Sequence, residues 1–162
     1  YETNLATIPD INVTGPDAWL YYYVTTFTVP DTATKADPDS LALSLQHALL
    51  ELRSINYHAE LWLDGKPVVA NQFPGVPDPA SVNGMFQRFF FPLGSFRAGE
   101  RHGLTILVHP PPNPGQCDGG QGGSHALAKD GPISQFTAGW DWIQGTPDRN
   151  TGLWDKVTFR YE

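Results

Sequence analysis

The stretch "YHAELWLDGKPVVA", residues 57–70, carries the pattern of a β-hairpin in its residue types. Ala59, Leu61 and Leu63 alternate with His58, Glu60 and Trp62, the two-residue period of a half-buried strand, until the chain reaches Asp64-Gly65. That pair tolerates positive φ at both positions, as a type I′ turn requires. Lys66 to Val69 is then the return strand. The same signals recur outward from the hairpin. "AWLYYYVTTFTVP", residues 18–30, is dense in aromatic and β-branched residues and closes on a proline, so one strand is expected there, with Trp19 in it. Residues 40–55, "SLALSLQHALLELRSI", alternate at Leu41, Leu43 and Leu45 and again at Leu50 and Leu52 against Glu51 and Arg53. Two extended stretches are preferred there over a helix.

Downstream, "MFQRFFFPL" (85–93) reads as a strand with Phe86, Arg88 and Phe90 on one face and Gln87, Phe89 and Phe91 on the other. "HGLTILVHPPP" (102–112) is a strand stopped by prolines, which cannot donate to a ladder. Near the C-terminus, Val157, Phe159 and Tyr161 alternate with Lys156, Thr158 and Arg160 and return the chain to the sheet. Short strands about ten residues apart, separated by turn residues, predict an all-β sandwich or barrel, and a jelly roll fits better than a small barrel. Trp19 and Trp62, placed within strands, are expected in the core.

Composition bounds the function. A chain of 162 residues suits one domain with a sizeable core. Its 16 glycines and 15 prolines imply many turns. Net charge is −7 and the ten lysines and arginines are scattered, so a nucleic-acid partner is not expected. No apolar run reaches the roughly 18 residues of a membrane span. The first residues, "YETNLATIPD", hold neither the basic nor the apolar region of a signal peptide and are read as the start of an excised or processed piece. Cys117 is the single cysteine, so no internal disulfide forms, and the sequon at Asn12 marks a surface position if the chain is secreted.

Between Pro110 and Trp154 periodicity fades into a long loop rich in glycine, proline and tryptophan, expected to be ordered because Trp140, Trp142 and Trp154 close it. "GGQGG" (119–123) lacks the Lys-Ser/Thr and the strand-to-helix context of a phosphate loop. His47, His58, His102, His109 and His125 are read as offering no H-x-E, H-x₃-H or Cys/His cluster, so no transition-metal site is expected; no cofactor is expected, and a structural Ca²⁺ on loop oxygens stays open. "GWDW" (139–142) sets Asp141 between two indoles. Aromatic rings beside a carboxylate suit a sugar, whose C–H face packs on the ring while its hydroxyls reach the acid. The alternative is that Trp140, Trp142 and Trp154 plug the end of the sandwich.

"INYHAELWLDGKPV", "GMFQRFFFPL", "LTILVHPPPNPG", "GGQGGSHALAKD" and above all "GWDWIQGTPDRNTGLWDKV" resemble, in order and over residues 18–162, the N-terminal sugar-binding domain of glycoside hydrolase family 2, in its exo-β-glucosaminidase and plant endo-β-mannosidase branch. The resemblance implies a galactose-binding-like jelly roll beside an immunoglobulin-like domain and a catalytic barrel that supplies both catalytic glutamates. It implies no catalytic residue here, a sugar contact at Asp141, Trp142 and Trp140, and loop support from Arg149, Asn150, Trp154 and His125. It further implies a carbohydrate and other glycosidase domains as partners, and a secreted, extracellular or vacuolar/lysosome-like setting. Residues 1–17 would be an N-terminal extension or an incomplete first strand. The pattern departs from the family's at Ser124, Gly145 and Pro147, where these relatives usually carry Asp, Pro and a basic residue. The reading from another class is a lectin-like or purely structural module of a larger extracellular assembly.

Overall fold

The computed structural model describes residues 7–30, 45–68, 82–114, 139–140, 143–144 and 146–161. The expected order of the long loop therefore lies largely outside the described residues, as do the expected extended stretch at 40–44 and the end of the hairpin's return.

The chain is an all-β jelly-roll sandwich. Its strands, in order, are β1 (Tyr21–Thr28), β2 (Leu45–Arg53), β3 (Ile55–Asn56), β4 (His58–Leu63), β5 (Lys66–Pro67), β6 (Val82–Asn83), β7 (Arg88–Arg97), β8 (Arg101–His109), β9 (Gly139–Trp140), β10 (Ile143–Gln144), β11 (Gly152–Leu153) and β12 (Val157–Tyr161). Among the described residues one sheet runs β1-β8-β4-β5, with β6 also on β4, and the other runs β12-β2-β7. All pairings are antiparallel.

The hairpin follows its residue types: Asp64 and Gly65 take φ of 49° and 76°, and Leu63 pairs with Lys66. Asp64 also serves as a side-chain clasp. Its carboxylate accepts from Gly103 N and lies 2.8 Å from His102 Nδ1, which ties the turn to β8. Those two hydrogen bonds, the backbone one first, hold the Asp64 carboxyl below its usual range.

The alternation expected for β2, β7 and β8 decides the core. Leu50, Leu52 and Phe91 from one sheet meet Ala59, Leu61, Leu104, Ile106 and Val108 from the other, and Phe27, Phe89 and Phe159 pack around them. A fully buried leucine or phenylalanine contributes about 1.5–3 kcal/mol by leaving water, so these two faces dominate the stability of the sandwich. Strand β7 continues past Pro92 to Arg97, farther than its sequence suggests. Among the described residues β7 is an edge strand, where the proline's missing N–H is tolerated, and the register shifts beside it between Ala48 and Leu49.

Two tryptophans depart from expectation. The N-terminal strand begins only at Tyr21, because Pro16 opens a 3-10 turn over Pro16–Trp19 and the Trp19 indole N–H donates to Thr14 Oγ1 at 2.8 Å. Trp62 lies in β4 but alternates away from Ala59 and Leu61, so it is half-buried outside the core. Upstream, Asp10 caps a short helix, Ile11–Thr14, by accepting from Asn12 N, and Ile11 is buried.

Candidate functional site

Among the described residues, a dense polar network surrounds "TPDRNTG", residues 146–152. Arg149 and Asn150 both take the left-handed conformation, φ 56°, which few residues other than glycine adopt without support. Support comes from within the turn. Asn150 N donates to Thr146 Oγ1 at 2.9 Å and to Asp148 Oδ1 at 3.0 Å, Arg149 N to Thr146 O, and Thr151 N to Asp148 O. Such local side-chain acceptors are what make Asp and Thr good turn residues.

The Arg149 side chain then ties the turn to two distant parts of the chain. Its side chain is completely buried, and its guanidinium forks onto Asp10, with distances of 2.7 and 3.1 Å to the two carboxylate oxygens. It also donates to the carbonyls of Pro114, at the exit from β8, and of Thr146. Every branch of the guanidinium is thereby engaged, the condition under which a buried cation is tolerable. From the other side Asn56, also fully buried, donates to the carbonyls of Arg149 (2.6 Å) and Asn150 (3.0 Å). Tyr21 donates to the buried Asp148 at 2.9 Å. β11 pairs with β3, and Tyr23 Oη accepts from Leu153 N at 3.2 Å. Gly152, at φ 139°, leaves room for that tyrosine, since a Cβ there would sit 2.5 Å from its hydroxyl. Pro147, one of the departures from the family pattern, is buried, and its carbonyl accepts from Ile11 N at 3.0 Å.

The residues singled out in the sequence are therefore distributed as follows. Arg149 and Asn150 sit together in this turn, Arg149 through its side chain and Asn150 through its main chain. Trp154 is 46% exposed and meets Phe86 edge-on at 5.8 Å, so its indole does not plug the sandwich end. Trp140 lies in β9, whose backbone pairs with β10 just ahead of the turn. Asp141, Trp142 and His125 lie outside the described residues. Asp10, Asn56, Tyr21 and Tyr23 had no sequence signal, because their roles depend on pairings more than 90 residues apart.

A second cluster was also missed. His58, Glu60 and His109 each offer a donor atom within 4.8 Å of the others. His58-Ala59-Glu60 is an H-x-E, and on a strand residues two apart share a face. The register of β4 with β8 then sets His109 directly opposite His58. The expectation that no H-x-E occurs is thus corrected by His58-Ala59-Glu60 itself, while the third member, His109, required the strand pairing.

The chain is 39% identical over 116 residues to a mannosylglycoprotein endo-β-mannosidase of Lilium longiflorum, a match spanning 70% of this chain and 11% of that protein. Together with the jelly-roll fold, this settles the family. The chain belongs to the N-terminal domains of glycoside hydrolase family 2. This family 2 domain also superposes on an exo-β-D-glucosaminidase, with a TM-score of 0.55 and 20% identity over 99% of its length and 14% of that structure. A β-D-mannosidase from Dictyoglomus thermophilum gives a TM-score of 0.55 and 18% identity over 98% of this chain and 18% of the other. At those identities the superpositions show the fold. No family profile matches the chain.

Proposed function

We propose that this domain is a non-catalytic, carbohydrate-contacting module of a family 2 β-glycosidase, and that it helps shape the subsite for a terminal β-linked mannose or glucosamine. The observation that carries the reading is the Arg149 turn. A fully buried arginine, a fully buried asparagine and two left-handed residues are devoted to fixing the backbone immediately after "GWDW". Buried polar networks of this kind cost desolvation and are hard to account for by stability alone; they hold a backbone in one place. A turn fixed so close in sequence after this segment suits ligand contact by Asp141, as hydroxyl acceptor, with Trp140 and Trp142 as apolar walls.

Hydrolysis is assigned to a separate domain, because a catalytic barrel needs about 250 residues of its own. Half a subsite binds weakly, so the isolated domain should take mannose or glucosamine oligomers with a Kd of millimolar order, about −4 kcal/mol. Titration calorimetry with both oligomer series, on wild type and Asp141→Ala, tests the assignment. Weak heat that disappears in Asp141→Ala is expected. Tight binding indifferent to that substitution would overturn both the affinity argument and the site.

A further inference from the structure

We propose that His58, Glu60 and His109 form a binding site for a divalent first-row transition ion, of which Zn²⁺ is the natural probe. The three side chains project from one face of the β4–β8 pair: His58 is the cross-strand partner of His109, and Glu60 lies one strand repeat along from His58. Their donor atoms lie within 4.8 Å of one another, and the imidazole rings are 5.3 Å apart. His109 Nε2 and Glu60 Oε1 are already 2.8 Å apart. Tetrahedral coordination at about 2.0–2.1 Å puts neighbouring ligands roughly 3.3 Å from each other, so side-chain rotations of about an ångström close the site.

Two imidazoles and one carboxylate select zinc-like ions over calcium or magnesium, which prefer oxygen ligands throughout. The set supplies three protein ligands and leaves a further position for water or a ligand. Entry is open, since Glu60 is exposed and both histidines are half-exposed. Asn83 completes the arrangement. Its Oδ1 lies 2.8 Å from His58 Nδ1 and accepts that proton, which leaves Nε2 of His58 with its lone pair, the usual outer partner of a metal-bound histidine. On binding, His109 carries its ring proton on Nδ1 instead of Nε2, exchanged through solvent, so that Nε2 and the Glu60 carboxylate oxygen both become ligands. The site also adjoins the anchored loop in the chain, because β3, which carries Asn56, ends one residue before Tyr57, whose N–H donates to His109 O. The other described histidines are engaged differently: His47 contacts Ser95, and His102 contacts Asp64.

The test is titration of the metal-stripped full chain with Zn²⁺ by calorimetry, with Co²⁺ absorption reporting nitrogen and oxygen ligation. One equivalent is expected in wild type, in Cys117→Ser and in His47→Gln. His109→Gln and Glu60→Gln should each weaken binding by at least about tenfold, and Asn83→Leu, acting through His58, by about 10–100-fold. Far-UV circular dichroism checks that each variant retains the fold; were His109→Gln to lose it, Glu60→Gln and Asn83→Leu carry the test. Stoichiometric binding that survives His109→Gln and Glu60→Gln unchanged, or absence of binding at millimolar Zn²⁺ in wild type, overturns the proposal.

Discussion

Replacing Arg149 by methionine keeps most of the side-chain volume and removes the guanidinium, so it isolates the polar role of the residue. The structure sets the scale. Arg149 is fully buried, whereas the Asp10 side chain it grips is 26% exposed and can recover water when the arginine is gone. Breaking a buried pair typically costs 3–5 kcal/mol, and partial rehydration of Asp10 argues for the lower end, about 3 kcal/mol, including the loss of the guanidinium's bond to the Pro114 carbonyl; Thr146 O keeps the backbone N–H of residue 149. For a domain of this size each kcal/mol moves Tm by about 2–4 °C, so a fall of about 6–12 °C is expected in a thermal melt followed by circular dichroism. The converse change, Asp10→Asn, deprives the buried cation of the Asp10 carboxylate and should cost about 2–3 kcal/mol despite the exposure of Asp10. The two should fall short of additivity by at least about 1 kcal/mol in the double variant, because each alone already breaks the same pair. A fall of less than about 2 °C for Arg149→Met, or strict additivity with Asp10→Asn, would refute the view that this pair fastens the turn to the N-terminal segment.

Two further outcomes follow from neighbouring geometry. Gly152→Ala places a Cβ against the Tyr23 hydroxyl at an unfavourable φ and should destabilise the domain by about 1–3 kcal/mol, measured by urea unfolding, with rapid amide exchange appearing at Leu153. Asp64 has a folded-state pKa below its ordinary value of 3.8, so its contribution is present above that pH and is lost as pH falls through the depressed value. The Tm difference between wild type and Asp64→Asn should accordingly be largest near neutrality and shrink in acid; a difference that grew on acidification would reverse the assigned sign.

What could be read along the chain was what is local. Alternation at Leu50, Leu52, Phe89 and Phe91, and the Asp64-Gly65 turn, are short-range signals, and they give the strands, their inward faces and the sandwich. Trp19 and Trp62 were misplaced for the same reason. A strand propensity cannot see that Pro16 starts a 3-10 turn, nor which of two faces of β4 meets the opposite sheet. Arg149 and Asn150 drew attention through resemblance, but what fixes Arg149 is Asp10, 139 residues away. The histidine cluster was missed on two counts: the local His58-x-Glu60 spacing was overlooked, and His109 joins it only through the register of β8 on β4.

The central proposal, that the segment preceding the Arg149 turn contacts sugar, is tested most directly by an NMR titration of the full chain with β-linked mannose and glucosamine oligomers. The tryptophan indole N–H signals and the amides of residues 139–154 serve as reporters. The account predicts millimolar, saturable shifts confined to that stretch, with the Trp140 and Trp142 indoles moving most and all shifts lost in Asp141→Ala. Shifts centred elsewhere, such as on the exposed Tyr22 and Val24 of β1, or binding that persists unchanged in Asp141→Ala, would contradict it.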